Sequence, residues 1–410
     1  MTSLISTFVF GGALLLSVVL PSAVVASGVA ASTGLFMIAV SYALVFLPLG
    51  KMKCRVNFFF RFLFIAGGFL LGVFLHGLLC LLMNRAFDFH RFVSSFVYLI
   101  CFLLGAFSFA LLVRRLKSDE VAGAIRFVFY LLLLTGIIGI FGYSPWFATE
   151  KPVFFFSEPS HFALIFLPFL LYVMVISRRS IRLLLLMATC LLGALLQNLT
   201  LFVGALVVAF LVFGVRRLVM FAAVAAVLLA LSNPTGMRYY LARLDLSPDS
   251  TNLSVLVYLN GWERAYLNLR ESAGLGIGFN QLGFAGTSGE VAERLTKYAG
   301  RELNKLDGGF VAAKLISELG LAGIALLGIY LFCFVLGALR LRRLTARPYG
   351  ERDCREIFFL ACFLMFVVDL FVRGTGYFSS ASFLLAASVI WMTFERYRRA
   401  EGEHLLPAYG

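Results

Sequence analysis

Long apolar runs of about twenty residues alternate with short polar stretches along most of the chain. A helix of that length crosses the hydrocarbon core of a bilayer, so runs with almost no charge predict membrane-spanning helices. The runs are continuous and lack the period of two that is typical of strands in a membrane β-barrel. The pattern predicts an all-α polytopic membrane protein with about 12 transmembrane helices. We place the spans at 5–26, 30–49, 58–83, 92–113, 122–142, 160–177, 183–197, 199–214, 218–232, 311–339, 357–372 and 379–394.

One segment departs from this pattern. Residues 233–310 stay polar for about eighty residues, which is too long for a turn between two helices. Within it, 261–271 predicts a short amphipathic helix, and the run GLGIGFN begins at Gly274. That run lacks the Lys and Ser/Thr of a phosphate-binding P-loop. We therefore expect its glycines to let the backbone pack closely against the membrane helices.

This segment divides the chain into four parts. We predict nine transmembrane helices in 1–232, an extramembrane loop with short amphipathic helices in 233–310, three further transmembrane helices in 311–394, and a cytoplasmic tail in 395–410. The 233–310 loop is the only predicted extramembrane part large enough to build a site.

Charge fixes the orientation of this arrangement. The chain is 61% hydrophobic and 14% charged, with a net charge of +14. The predicted spans put 22 of the 35 Lys and Arg residues, and 8 of the 21 Asp and Glu residues, on the side that holds both termini. The other side has 13 of each. By the positive-inside rule the basic side is cytoplasmic, so the 233–310 loop lies outside the cytoplasm. The basic excess indicates topology and contact with anionic membrane lipids, with no nucleic acid as partner.

Two further features bear on processing and redox chemistry. Small residues follow the first apolar run, but no basic segment precedes it and a second span follows at once, so we expect a retained first helix. The seven cysteines fall in spans or in cytoplasmic linkers, and none lies in the 233–310 loop. Their spacing predicts neither a disulfide framework nor a metal site, and we expect no cofactor.

The start of the sixth span carries the first candidate site, SEPSH from Ser157 to His161. Pro159 suits the first turn of a helix, and Ser157 can cap it. A helix start presents free N–H groups and partial positive charge, which favour an anion. Glu158 and His161 are three residues apart and share one helical face. The alternative is a capping cluster that only begins the helix.

Charged residues near the other outer helix ends are further candidates. In the predicted 261–271 helix, Arg264 falls on one face with Asn268 and Glu271, while Arg270 falls on an adjacent face with Glu263 and Tyr266. Arginine binds oxyanions in a bidentate manner, but a surface helix with internal ion pairs would have the same pattern.

Three more places carry charge at helix ends. Lys314 and Glu318 are one turn apart and predict an ion pair. Arg373, beside two glycines in the last outer turn, is an oxyanion candidate. In the 84–91 connection, which includes Arg91, interfacial anchoring is favoured over a substrate contact.

Several motifs, taken in order, resemble a known family. SEPSHFALIFLP opens a middle helix, Arg264 and then GLGIGFNQLG lie in one large loop, DGGFVAAKLISELGLAGIALLGI re-enters the membrane, and FVRGTGYF lies near the end. This arrangement resembles bacterial Wzy-type O-antigen or capsular polysaccharide polymerases. The related O-antigen ligases share the architecture but typically carry a histidine where Asp307 stands here. They also tend to carry an arginine in the bend at 198–200. Both departures favour a polymerase over a ligase.

The resemblance implies a GT-C-like membrane glycosyltransferase of the bacterial inner membrane, with its active site on the periplasmic face. A growing glycan on undecaprenyl pyrophosphate would be transferred to a lipid-linked repeat unit, and a chain-length regulator is a further candidate partner. The leaving pyrophosphate needs cations, and the attacking hydroxyl needs a general base. The candidate general bases, in order, are Glu158, His161 and Asp307; the candidate pyrophosphate ligands are Arg264, Arg270 and Arg373; the candidate substrate contacts are Ser160, Tyr266 and Tyr377.

Two other functions stay open at this point. One is the O-antigen ligase, and the other is a transporter or flippase for the lipid-linked sugar. A transporter would place ionisable residues within its spans and show internal repeats. This chain has few charges at mid-span, and its charged candidates gather at the outer boundary, which favours chemistry at the surface. We expect those side chains to converge at the outer rim of the bundle, beside a cleft open to lipid.

Overall fold

The described part of the chain is helical. The computed structural model describes residues 2–26, 39–41, 43, 56–83, 86–144, 152–214, 219, 223, 227, 234–247, 249–348 and 352–400. Within these ranges we number the helices in chain order. They are α1 (Thr2–Val18), α2 (Leu20–Ala26), α3 (Val56–Met83), α4 (Phe89–Arg115), α5 (Ser118–Ile140), α6 (Pro159–Ile176), α7 (Arg179–Leu195), α8 (Leu199–Phe213), α9 (Pro234–Leu244), α10 (Leu253–Glu271), α11 (Glu290–Ala299), α12 (Val311–Ala346), α13 (Cys354–Phe371) and α14 (Ser380–Ala400).

Five of these helices, α3, α4, α5, α6 and α12, are long and apolar enough to cross a membrane. They coincide with five of the predicted spans and support a membrane-embedded helical protein. The second half of α1 and the whole of α8 are apolar but shorter. The predicted spans at 30–49 and 218–232 lie almost entirely outside the described residues.

Helix boundaries differ from the prediction at several places, of which two have a clear local cause. The predicted span 5–26 is divided at Val19, because Pro21 has no N–H to continue the hydrogen-bonded ladder. The loop helix α10 begins at Leu253 rather than at residue 261, because the side chain of Asn252 accepts the N–H groups of Ser254 and Val255 and caps the helix there.

The predicted separation of two helices near Gln197 is confirmed. Gln197 adopts a left-handed backbone conformation, with φ of 50°, between α7 and α8. The side chain of Asn198 then caps α8 by accepting the N–H of Leu201 at 3.2 Å. The same side chain donates to the carbonyl oxygen of Pro159 at 2.5 Å. This bend is thereby tied to the start of α6.

Helix α6 is the centre of the bundle. Every residue from Phe162 to Ile176 is buried, and α5, α8 and α13 pack around the helix. In the most apolar window of α6, 83% of residues are buried, against 17% in α3 and 22% in α12. Side chains at the start of α6 therefore rest on the most enclosed element of the fold, whereas α3 and α12 form its periphery.

Helix α12 is broken at Gly320, where φ is 58° and ψ is −131°. The glycine-rich loop after α10 fills the break with backbone hydrogen bonds. Leu321 donates to the carbonyl oxygen of Gly274 at 2.8 Å, and Gly278 donates to that of Glu318 at 2.9 Å. A Cβ on Gly276 would lie 2.5 Å from the Glu318 carbonyl oxygen, so only glycine permits this approach. The prediction that these glycines let the backbone pack against the membrane helices is confirmed.

Candidate functional site

The start of α6 presents its polar side chains to a neighbouring loop. Pro159 occupies the first helical position, and Glu158 occupies the N-cap position with extended backbone and no side-chain cap. The prediction that Ser157 caps this helix is wrong, because Ser157 lies one residue before the cap. Its hydroxyl instead lies 3.4 Å from Nδ1 of His161. The Glu158 carboxylate is not used for capping, so it can bind another group.

That group is Arg373. Its Nη2 lies 3.0 Å from Oε2 of Glu158, and its Nη1 donates to Oδ1 of Asn304 at 3.4 Å. The hydroxyl of Ser160 donates to the same carboxylate oxygen at 3.0 Å. The Glu158 side chain is 49% exposed and that of Arg373 18%, so the pair lies at a surface open to ligand. Three segments that are distant in the sequence therefore meet here.

The protonation of Glu158 follows from these neighbours. Burial raises the pKa of its carboxyl, but Arg373, His161 and the Ser160 hydroxyl together outweigh burial and hold the pKa below its ordinary value. Glu158 is therefore a carboxylate at neutral pH, and the bound arginine makes it a weaker base than a free carboxylate.

Asp307 completes the polar surface. Its charge acts on the imidazole of His161, which places the two groups within electrostatic range of each other. A Cβ on Gly376 would lie 2.8 Å from Oδ1 of Asp307, and the N–H of Gly374 donates to the Gly309 carbonyl oxygen at 3.0 Å. The loop that carries Asp307 thus runs beside the loop that carries Arg373. We call Glu158, His161, Asn304, Asp307 and Arg373 the rim cluster.

A buried ion pair lies beneath the rim cluster. Lys314 and Glu318 are 2% and 0% exposed, and Nζ lies 3.4 Å from Oε1, which confirms the predicted pair. Lys314 also donates to Oδ1 of Asn280 at 3.2 Å and to the carbonyl oxygen of Leu306. Glu318 accepts the N–H groups of Asn280 at 2.7 Å and Leu282 at 2.9 Å. The pair therefore fixes both the glycine-rich loop and the residue before Asp307.

Tyr377 forms a wall of this buried region. Its ring stacks on Phe279 with centroids 5.2 Å apart and an angle of 13°, and Nζ of Lys314 lies 5.0 Å from the ring centroid. Burial raises the pKa of the Tyr377 hydroxyl, and the Glu318 carboxylate raises it further. The phenol therefore stays neutral, and its ring packs against Phe279 and Lys314.

Two of the three predicted pyrophosphate ligands lie apart from the rim cluster. Arg264 is 2% exposed, and its Nη1 donates to Glu302 at 2.8 Å and to the Lys305 carbonyl oxygen at 3.1 Å. Burial lowers the pKa of its guanidinium, and Glu302 partly opposes this effect. Arg264 therefore supports the 302–307 loop from beneath. Arg270 and Tyr266 lie exposed on α10, and no hydrogen bond or ion pair in the described part joins them to the cluster.

The structure adds Arg91 to this region, where the sequence favoured interfacial anchoring. Its Nε donates to the carbonyl oxygen of Asn280 at 2.6 Å, and its guanidinium lies 3.9 Å from the ring centroid of Phe284. The charge of Asp307 acts on Arg91. Asn280 and Asn304, both in left-handed conformations, were also missed. A polar turn at 84–91 was visible in the sequence, but the contact across 189 residues was not.

An apolar groove lies next to these polar groups. It runs between α3 and α12 beneath the glycine-rich loop and has a volume of about 320 Å³. His76 lines one wall, and an imidazole nitrogen lies 2.8 Å from the Leu275 carbonyl oxygen. Both flanking helices expose large apolar side chains, such as Leu321 at 62%. The lining residues are His76, Ala273, Gly274, Leu275, Leu319, Leu321 and Ala322.

Comparison with known proteins gives no relative from which to transfer a function. No protein-family model, no curated protein and no solved structure matches this chain. Within the described ranges, no three His, Cys, Asp or Glu side chains are grouped so that they could hold a metal ion. The arrangement does offer carboxylates that accept protons, a guanidinium that binds anions, and an apolar groove beside them.

Proposed function

We propose that this protein is a polysaccharide polymerase of the bacterial inner membrane. It transfers a growing glycan from undecaprenyl pyrophosphate to a lipid-linked repeat unit. In this proposal the chain crosses the membrane twelve times and carries the 233–310 loop in the periplasm. Five long apolar helices and the one-sided excess of basic residues support that topology.

The observation that carries the proposal is the composition of the rim cluster and its surroundings. A guanidinium, an imidazole and two carboxylates from three chain segments meet at one end of the enclosed helix α6. An open apolar groove lies beside the same loops. Transfer from a lipid diphosphate requires this combination, because the reacting sugar is polar, the leaving group is anionic and its tail is apolar.

In the proposed reaction, a hydroxyl of the acceptor sugar attacks the anomeric carbon of the donor glycan. A new glycosidic C–O bond forms, and the C–O bond to the diphosphate breaks. The hydroxyl proton passes to a carboxylate, and the electron pair of the broken bond leaves with the diphosphate. In this proposal the guanidinium of Arg373, which is held by Glu158, opposes that charge. We assign the general base to Asp307, because Glu158 is already bound by Arg373 and orients it.

The proposal is tested by elongation in vitro. Purified protein in proteoliposomes is supplied with lipid-linked repeat units, and the products are separated as a gel ladder. We expect Arg373→Gln and Asp307→Asn to leave single units, each with a loss of at least about 100-fold in rate. Arg301→Gln is the matched control, because Arg301 is an exposed arginine of the same periplasmic loop. It should give the wild-type ladder.

Other outcomes would point elsewhere. A normal ladder from both Arg373→Gln and Asp307→Asn would refute the assignment of the rim cluster to catalysis. A wild-type protein that never elongates the units, yet attaches preformed long chains to a second lipid, would be a ligase. Movement of labelled units across the bilayer without any new bond would indicate a transporter.

A further inference from the structure

Arg91 is anchored in a way that leaves part of its guanidinium unused. Nε is bound to the Asn280 carbonyl oxygen, and the Phe284 ring lies against one face of the guanidinium. Among the described residues, neither Nη atom has a hydrogen-bond partner. Arg91 is half-buried, so its position is fixed while its two terminal nitrogens remain accessible. A guanidinium held in this manner is suited to bind a phosphate group.

The charges around Arg91 leave it available to an anion. The carboxylates of Asp88, Glu318 and Asp307 all act on it electrostatically. None of them forms an ion pair with it in the part of the chain that the structure describes. Glu318 is bound by Lys314, and Asp88 caps α4 by accepting the N–H of Arg91 itself at 3.0 Å. Two of the three carboxylates are therefore already engaged.

The glycine-rich loop connects Arg91 to the groove between α3 and α12. At one end of the loop, Leu275 lines the groove and binds His76. At the other end, Asn280 binds Arg91. Five residues of extended chain span at most about 18 Å, so the groove and the guanidinium lie within the length of one extended amphiphile. The groove is apolar where a tail would lie, and the guanidinium of Arg91 is the cation available to an anionic head, because Glu318 is paired with Lys314 and Asp88 caps α4.

We propose that Arg91 and this groove form a binding site for a prenyl diphosphate lipid, distinct from the anion position at Arg373. The prenyl tail lies against Leu319, Leu321 and Ala322, and the diphosphate accepts hydrogen bonds from the Nη atoms of Arg91. This inference rests on the proposed function, in which donor and acceptor are both carried on prenyl diphosphates. It assigns each of the two lipid heads its own arginine, Arg373 to one and Arg91 to the other.

The head of the site is tested by direct binding. Full-length protein in phosphatidylcholine nanodiscs is titrated by calorimetry with farnesyl diphosphate, inorganic pyrophosphate and farnesol. We expect Arg91→Gln to lower the affinity for farnesyl diphosphate by about tenfold or more, which is the loss expected when a charge-assisted hydrogen bond is removed. Arg301→Gln, which removes an exposed arginine with no described contact to the groove, should bind as the wild type does. Arg91→Lys, which keeps the charge, tests the site if Arg91→Gln fails to fold.

The tail of the site is tested by filling the groove. Ala322 is exposed and lines the groove, whereas Ala325 is exposed on the same helix and does not. We expect Ala322→Trp to lower the affinity for farnesyl diphosphate several-fold and to leave the affinity for inorganic pyrophosphate unchanged. The matched Ala325→Trp should change neither. Vesicles that contain phosphatidylglycerol should not compete, because the site is proposed for a diphosphate and not for anionic lipid in general.

The outcomes separate this site from the proposed reaction. Wild-type affinity for farnesyl diphosphate in Arg91→Gln, or equal loss of farnesyl diphosphate binding in Ala322→Trp and Ala325→Trp, would overturn the inference. Competition by phosphatidylglycerol at equal strength would do so as well. If binding depends on Arg91 and the groove but no glycan is ever elongated, the lipid site stands and the polymerase does not.

Discussion

Lys314 and Glu318 show how two buried charges position a surface that neither of them reaches. Desolvating an ion pair costs free energy that Coulomb attraction alone does not always restore. Here the cost is offset by hydrogen bonds. Lys314 binds Asn280 and Leu306, and Glu318 accepts two backbone N–H groups of the glycine-rich loop. The pair therefore helps to fix the position of Asp307, one residue after Leu306, within the rim cluster.

Removing the charge of Lys314 alone should destabilise the protein more than removing the charges of both Lys314 and Glu318. Lys314→Met leaves Glu318 buried without its cation, and we expect the free energy of unfolding to fall by about 3–5 kcal/mol. Lys314→Met combined with Glu318→Gln should recover part of that loss, because a neutral amide oxygen still accepts a loop N–H. Denaturant titration in mixed micelles measures both. A double variant less stable than Lys314→Met would contradict this account.

Among the elements, the interrupted helix α12 has the greatest effect on the site. Gly320 combines φ of 58° with ψ of −131°, a conformation open almost only to glycine. The turn of helix before it carries Lys314 and Glu318, and the long helix after it exposes an apolar surface. Backbone groups freed by the break pair with the glycine-rich loop: the carbonyl oxygens of Ser317 and Glu318 accept the N–H groups of Ile277 and Gly278, and Leu321 donates to Gly274.

A side chain at Gly320 should separate the two segments that meet there. A Cβ would collide with the carbonyl oxygen of Gly274, and the backbone conformation would be strained as well. We expect Gly320→Ala to lower the free energy of unfolding by at least about 2 kcal/mol. Gly328→Ala is the control, since a Cβ at Gly328 meets nothing within 4 Å in the same helix. It should be neutral or stabilise by about 0.5–1 kcal/mol. Equal effects at both positions would contradict the role of the break.

Across the whole molecule, the described helices differ in burial between the centre and the periphery. Helix α6 is enclosed on all sides, and the rim cluster stands at its start. Helices α3 and α12 turn large apolar side chains outward, such as Phe64 at 84% and Phe332 at 67%. Surfaces of this kind are stable against lipid chains and not against water. The groove lies between these two outer helices, so it would open toward lipid.

The proposed topology makes a prediction for chemical labelling. Tyr298 in α11 and Ala346 at the end of α12 are both exposed. In a background without the seven native cysteines, Tyr298→Cys should react with a membrane-impermeant maleimide in intact spheroplasts. Ala346→Cys should react only after permeabilisation. The reverse labelling pattern would invert the orientation, and labelling of both without permeabilisation would contradict a span between them.

Local patterns predicted helices better than they predicted the site. The apolar runs located α3, α4, α5, α6 and α12, because a helix that crosses a membrane must satisfy its backbone within itself. The spacing of Lys314 and Glu318 predicted their ion pair. The break at Gly320 was not predicted, since it is stabilised by a loop that lies elsewhere in the sequence.

The convergence of site residues depends on tertiary structure in the same way. Glu158 and Arg373 are 215 residues apart, and each was chosen only for the chemistry of its side chain. Arg264 and Arg373 were equivalent as arginines in the sequence. The structure buries the first under the 302–307 loop and leaves the second at the surface. The type of a side chain therefore indicates which chemistry it could support. Packing determines which of several residues of that type is accessible to a ligand.

The interruption at Gly320 also has a mechanical consequence. A continuous helix transmits bending along its hydrogen-bonded ladder, but α12 is two rods joined at a glycine. The buried ion pair stands on the segment before the joint, whereas the long apolar surface stands on the segment after it. We therefore expect a sideways displacement of the second segment by lipid to be taken up first at the joint and at the loop hydrogen bonds that brace it.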